Sequence, residues 1–139
     1  MNDKSFVDSN IWLYAMMARH VEERRQKSAA ALVSRPVRHV ISEQVVSEVA
    51  ANLLKKARLP DDALLPVLES LYERCQVIVP DLSLHRLALA LRQRYGFSFW
   101  DSQIVAAARQ AGCATLYSED MRNGLVVDDG LTIVNPFTT

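Results

Sequence analysis

The 139-residue chain lacks most of the features that announce a function. Its longest uninterrupted apolar run, Ile11 to Ala18, falls far short of the roughly 20 residues that a membrane-spanning helix needs, so no membrane association is expected. The opening Met-Asn-Asp-Lys has no apolar segment of the kind a secretory signal carries, which points to a cytoplasmic location. Cysteine is scarce. Cys75 and Cys113 have no Cys-x-x-Cys or His partner at metal spacing, so reduced, buried thiols are expected in place of a disulfide or a zinc site. The four glycines, at positions 96, 112, 124 and 130, are too scattered to build a phosphate-binding loop. An excess of either charge is also missing, with 16 basic residues against 16 acidic ones. That balance argues against a general polyanion binder acting through its overall field, but it is compatible with a nucleic-acid enzyme whose acidic site is filled with metal. Internal repeats and low-complexity segments are absent.

What is present is the composition of an ordinary globular protein, 50% hydrophobic and 23% charged. The length suits one compact domain over residues 1–139. A chain of this size buries roughly two-thirds of the surface its unfolded form exposes and needs no staple.

Hydrophobic patterning and punctuation divide the chain into alternating elements. Lys4 to Val7 reads as a buried strand, followed by helices over Ser9 to Ala18 and Glu22 to Ser34, the second closed by Pro36. Arg38 to Ile41 reads as a second strand, and Ser42 as the cap of a helix to about Lys56. After the break at Leu59-Pro60-Asp61-Asp62, another helix reaches about Arg74, with Pro66 placed to bend it. Gln76 to Val79 is the third strand. Asp81 caps a helix to Tyr95 that Gly96 ends. Ser98 opens a capping box for a helix to Gln110. Ala114 to Tyr117 forms a fourth strand and Leu131 to Val134 a fifth. The alternation predicts an α/β sandwich with a mostly parallel sheet of four or five short strands.

Four carboxylates fall where chemistry would use them. Asp8 directly follows the first strand, and Asp120 follows the fourth within three residues. Ligands of open α/β sheets bind at the carboxyl ends of the strands. Asp101 opens the apolar helix that contains Ile104 to Ala108. Glu48 flanks the apolar face made by Val45, Val49 and Leu53, one turn before Asn52. Each residue also has a plain explanation. Asp8 and Ser9 can cap a helix, Asp101 can be the acid of the capping box, Glu48 can reach water, and Asp120 suits a turn. Glu43 and Glu119 are weaker candidates. Several carboxylates on one rim repel one another, and a divalent cation removes the penalty. A cluster of oxygen ligands without His or Cys suits Mg2+ or Mn2+. Such an ion can activate water and polarise a phosphoryl oxygen.

Four segments, in this order, resemble the PIN-domain nucleases: Phe6-Val7-Asp8-Ser9-Asn10-Ile11, Ile41 to Glu48, Phe97 to Ala108, and Tyr117 to Gly124. The closing Leu131 to Phe137 is similar to the tail of small bacterial members. By size and architecture the nearest subgroup is the VapC-type toxin of toxin–antitoxin pairs. The resemblance implies a PIN-like three-layer α/β/α fold, a homodimer, an antitoxin partner and an endoribonuclease activity dependent on Mg2+ or Mn2+. It also implies that Asp8, Glu48, Asp101 and Asp120 are the metal-binding and catalytic acids, with Ser118 a nearby polar group. A metal-activated water would then attack an RNA phosphate, which leaves a 3′ hydroxyl and a 5′ phosphate and requires no histidine. His20, His39 and His85 are dispersed and read as structural or surface residues.

Three basic groups could meet the RNA backbone: Arg19, Arg24, Arg25 and Lys27; Lys55, Lys56 and Arg58; Arg92 and Arg94. Each also fits a solvated helix face. Trp12, Tyr14 and Trp100 read as core or interface residues. Rival phosphoryl-transfer families fit poorly. A haloacid-dehalogenase-like phosphatase needs a second Asp at position 10, where Asn stands, and a response-regulator receiver needs paired acids after the first strand. A non-catalytic PIN-like binding module and a housekeeping PIN nuclease are the other readings of the same scaffold.

Overall fold

A computed structural model describes residues 2–138. The elements follow the predicted alternation: β1 (Ser5–Val7), α1 (Ser9–Met16), a short 3-10 turn (Ala18–His20), α2 (Glu23–Val33), β2 (Val40–Ser42), α3 (Glu43–Lys55), α4 (Asp61–Arg74), β3 (Gln76–Ile78), α5 (Leu82–Tyr95), α6 (Phe99–Gln110), β4 (Thr115–Tyr117), β5 (Val126–Val127) and β6 (Leu131–Val134). They build one sheet of order β3-β2-β1-β4-β6-β5. All neighbours are parallel except β5, which runs antiparallel to β6.

The strand order fixes the layers. The chain steps outward from β1 to β2 to β3, then returns across the sheet to β4. Right-handed crossovers in opposite directions place their helices on opposite faces. Helices α1 to α4 therefore cover one face, and α5 and α6 the other. The packing agrees, since α1 lies against α2 and α3, α3 against α4, and α5 against α6. The reversal of direction between β1 and β4 is a topological switch point, where the loops at the carboxyl ends diverge and leave a crevice.

The core is built from the middle of each strand. Phe6, Val40, Ile41, Leu116 and Ile133 are fully buried, and Trp12 of α1 is buried with them. Trp12 donates its indole N–H to the Val7 carbonyl (3.1 Å), so the largest core side chain also leaves no orphaned donor. Helix α6 is buried all round from Ser102 to Ala108. Its run of three alanines lets the sheet and α5 approach from two sides, as a helix that is apolar around its circumference requires. Both cysteines are buried and unpaired, and burial pushes each thiol up to about 11. Helix α4 continues through Pro66. Among the described residues no helix is long and apolar enough to cross a membrane.

The sheet has six strands, where patterning predicts four or five. The additional strand, β5, is two residues long and cannot display a period of two. It exists because Asp128 and Asp129 turn the chain back onto β6. Both have positive φ, 49° and 59°, and the Gly130 N–H bonds the Val127 carbonyl at 3.1 Å. The two left-handed residues make a tight turn within a three-residue connection, Asp128 to Gly130, between the paired Val127 and Leu131. The left-handed conformation of Asp128 is held from outside: its carboxylate pairs with Arg94, and its N–H donates to the Tyr95 hydroxyl at 2.9 Å. Asp129 carries the same backbone cost. Asp129→Gly should therefore raise unfolding stability by about 0.5–1 kcal/mol, measurable as a higher denaturant midpoint with unchanged slope.

Candidate functional site

Parallel pairing aligns Val7 of β1 with Tyr117 of β4, so the residues that follow, Asp8 and Ser118, leave the sheet side by side. The Asp8 N–H continues the ladder by donating to the Tyr117 carbonyl (3.0 Å). Asp8 is buried, with 7% of its surface exposed. One carboxylate oxygen accepts the Ser9 N–H at 2.7 Å and the other accepts the Ser118 hydroxyl at 2.8 Å. Asp8 is thus the N-cap of α1, as its plain explanation has it, and it also projects into the crevice of the switch point.

The other three acids arrive from separate elements. Glu48 stands on the second turn of α3, whose apolar face (Val45, Val49 and Leu53) is buried. Its carboxylate accepts the Ser9 hydroxyl (2.9 Å) and the Gln44 side-chain amide (2.8 Å). Asp101 lies in the first turn of α6, fixed there by Ser98, whose hydroxyl accepts the Asp101 N–H at 3.1 Å. Asp120 is exposed on the loop after β4 and accepts the Asn10 side-chain amide at 3.0 Å.

Electrostatics links the four. Burial pushes the Asp8 carboxyl up to about 6; its bonds to Ser118 and Ser9 partly offset this, while the charges of Glu48 and Asp101 add to it. Burial also raises Asp101, with further pushes from Asp120 and Glu48. Every predicted acid therefore faces at least one of the others across the crevice. Gathering these charges costs stability unless something positive enters.

The donor set consists of carboxylate and hydroxyl oxygens, the kind that Mg2+ and Mn2+ prefer. Among the described residues no three His, Cys, Asp or Glu side chains form a ready-made metal-holding group. The acids thus line a rim and do not close a cage. A rim still fits Mg2+, which keeps several waters and needs only one or two protein carboxylates.

A cleft of about 630 Å³ opens beside the rim. Glu48 and Asp120 border it, and Lys56 and His20 stand on its walls. Of the basic residues singled out in the sequence, Lys56 is thus at the site. Arg25 is paired with Glu119 (3.1 Å), Lys27 with Glu23 (2.9 Å) and Arg94 with Asp128. Three residues gain roles that sequence reasoning did not assign. Ser9 and Gln44 hold Glu48, and Asn10 holds Asp120 while its own amide oxygen is buried without a partner. The Asp-Ser-Asn triplet immediately after a strand was the available signal. Of the two readings of Trp100, core or interface, core is excluded: it is 64% exposed, because the first turn of α6 projects beyond the packed run that starts at Ser102. Trp12 is core, as expected. Tyr14 is half-buried; its hydroxyl donates to Glu119, and burial and that carboxylate push it up to about 12.

The PIN-domain family model matches residues 5–123, and the chain belongs to the PIN-domain family. No curated protein matches the sequence. Solved structures show the same fold. A chain of a toxin–antitoxin complex from Klebsiella pneumoniae is similar with a TM-score of 0.70 at 18% identity, covering 98% of this chain and 100% of that one. VapC20 of Mycobacterium tuberculosis, a sarcin–ricin loop cleaving toxin, gives 0.62 at 21% identity, covering 81% and 87%. A chain of VapBC2 from Rickettsia felis, bound to a promoter DNA fragment, gives 0.59 at 17% identity, covering 84% and 86%.

Proposed function

We propose that residues 1–139 act as one PIN-like domain that hydrolyses RNA, and that the protein is the cytoplasmic toxin of a toxin–antitoxin pair. The observation that carries this reading is the buried Asp8, held at the switch point with its carboxyl raised to about 6 and facing Glu48 and Asp101. Its cap to α1 offsets only part of what burying this carboxyl costs the fold, and a group held at such a cost points to what it binds.

Asp8 and Asp101 would hold Mg2+ or Mn2+, with Glu48 and Asp120 completing the negative rim. When bound, such an ion neutralises the carboxylates, stabilises charge developing on a phosphodiester and makes water a better nucleophile. The chain supplies the rest. Ser118 and the Ser9 N–H orient the Asp8 carboxylate, and Ser9 and Gln44 hold Glu48 where it can accept a proton from an attacking water. Asn10 keeps Asp120 on the rim. Lys56, on the cleft wall, meets a backbone phosphate beside the reacting one.

The toxin assignment is supported by likeness of fold to chains from toxin–antitoxin complexes. A cognate antitoxin would restrain the enzyme, and the chain would pair with a second copy, as the resemblance to VapC-type toxins implies. Purified protein incubated with structured RNA should cleave in Mn2+ and stop in excess chelator, with 5′-phosphate ends on the products. Cleavage that persists in chelator would reject the proposal. Binding of RNA without cleavage in Mn2+ would favour the non-catalytic module.

A further inference from the structure

A second concavity lies next to the acidic rim and is chemically unlike it. This groove, about 430 Å³, runs between the start of α3, the end of β3, α5 and the first turn of α6. Ile78, Pro80 and Leu84 supply apolar lining, and the exposed Phe99 and Trp100 border it as well. No Lys or Arg lines it, while Glu43 and His85 do. A phosphate would find no fixed positive charge there, whereas a neutral flat ring would find apolar walls and polar edges.

Three observations define the occupant. First, Phe99 and Trp100 are 44% and 64% exposed and meet edge to face, with ring centroids 5.1 Å apart. An exposed aromatic pair offers a face on which any base can stack. Second, Gln103 lines the groove and is only 7% exposed, yet its amide Nε2 is buried with no acceptor among the described residues. A buried amide donor without a partner is costly and calls for an acceptor brought from outside. Third, the groove is continuous with the acidic rim. Trp100 precedes Asp101 in sequence and also borders a shallow pocket with Glu48. Gln44, which lines the groove, donates to Glu48 at 2.8 Å.

We propose that this groove binds one nucleobase of a single-stranded RNA segment whose phosphate lies against the Asp8–Glu48–Asp101–Asp120 rim, with Trp100 as stacking platform and Gln103 as reader of the base edge. The inference rests on the ribonuclease reading. Single-stranded RNA presents unstacked bases with carbonyl acceptors on their edges, which matches an exposed aromatic border and an unpaired amide donor inside.

Trp100 provides its own probe, because Trp12, the other tryptophan, is buried. In chelator, where cleavage is suppressed, a short single-stranded RNA should quench tryptophan emission, and the same backbone without bases should not. Trp100→Ala should bind that RNA about 5- to 150-fold more weakly, the range expected for loss of one base–aromatic stack, and Trp100→Phe should recover part of the loss. Gln103→Leu should flatten the preference among U, C, A and G oligomers. Equal binding of RNA and its abasic counterpart, or unchanged RNA affinity in Trp100→Ala, would overturn the proposal. A dimer that becomes monomeric in Trp100→Ala, with RNA affinity intact, would assign the groove to a second copy of the chain. The two readings fail separately. Base-dependent quenching without cleavage in Mn2+ rejects the nuclease and keeps the groove. Cleavage by Trp100→Ala at the wild-type rate and site rejects the groove and keeps the nuclease.

Discussion

Asp8→Asn is expected to lower RNA cleavage in Mn2+ by more than about 100-fold while leaving the protein folded. Losing a group that merely orients a metal ligand already costs about 10–100-fold, and Asp8 is proposed as a ligand itself. The substitution is close to isosteric. Asn remains a good N-cap, so the Ser9 N–H keeps its acceptor, and the Ser118 hydroxyl can rotate to face an amide. What disappears is the charge. Asp101→Asn should behave similarly, because Ser98 fixes the first turn of α6 through the Asp101 backbone N–H and not through its carboxylate. Asp62→Asn, in the first turn of α4 and on no part of the rim, is the matching control and should retain activity. Initial rates on one labelled RNA, with folding verified by circular dichroism, check this. Variants at Asp8 and Asp101 that cut within a few-fold of wild type would reject these carboxylates as the reacting centre.

The acids were legible in the sequence because their positions follow from rules of low complexity. A carboxylate immediately after a buried strand of an α/β fold stands at the carboxyl edge whatever the details of packing, which located Asp8 and Asp120. Helical periodicity put Glu48 on the flank of a buried face, and a capping box put Asp101 in the first turn of its helix. That the four share one crevice required the strand order, and specifically the pairing of β1 with β4, which are separated by more than a hundred residues and which no local pattern reports. The holders of the acids were equally hidden. Ser9 reads as a capping residue until α3 is docked against α1, and Asn10 until the loop after β4 comes beside it. Trp100 read as core or interface, and only the docked helix chooses between them: burial of α6 begins at Ser102, where the sheet and α5 close over it, and Trp100 stays exposed before that point. The β5 hairpin escaped because its turn uses Asp-Asp with both residues left-handed, and Asp128 is held so by Arg94 and Tyr95 from α5, not by the local sequence.

The same substitution that removes activity should make the metal-free protein more stable at neutral pH. Moving a carboxyl from its usual 3.8 to about 6 means that the folded state binds its proton more tightly than the unfolded chain does. The associated stability is fully present below pH 4 and is lost as pH rises from about 4 to about 6. At pH 7 the ionised Asp8 therefore costs the folded state about 3 kcal/mol, mostly through burial, with the charges of Glu48 and Asp101 adding to it. Asn carries no charge to bury, but it forfeits the bond between a full carboxylate and Ser118. The expected net gain in chelator at pH 7 is about 1–3 kcal/mol, roughly 3 °C in Tm for each kcal/mol in a chain of this size. The gain should shrink as pH falls and vanish near pH 4, where wild type is protonated too. His39, which burial holds below its usual value, is common to both proteins and cancels in the difference. Mn2+ should then reverse the order, raising the Tm of wild type and leaving Asp8→Asn nearly unmoved, because a bound ion stabilises only the chain that can hold it. A structural cap predicts otherwise: Asp8→Asn would melt at or below wild type at every pH, and Mn2+ would shift both proteins alike. Thermal melts of the two proteins across pH 4–8, in chelator and in Mn2+, separate these outcomes.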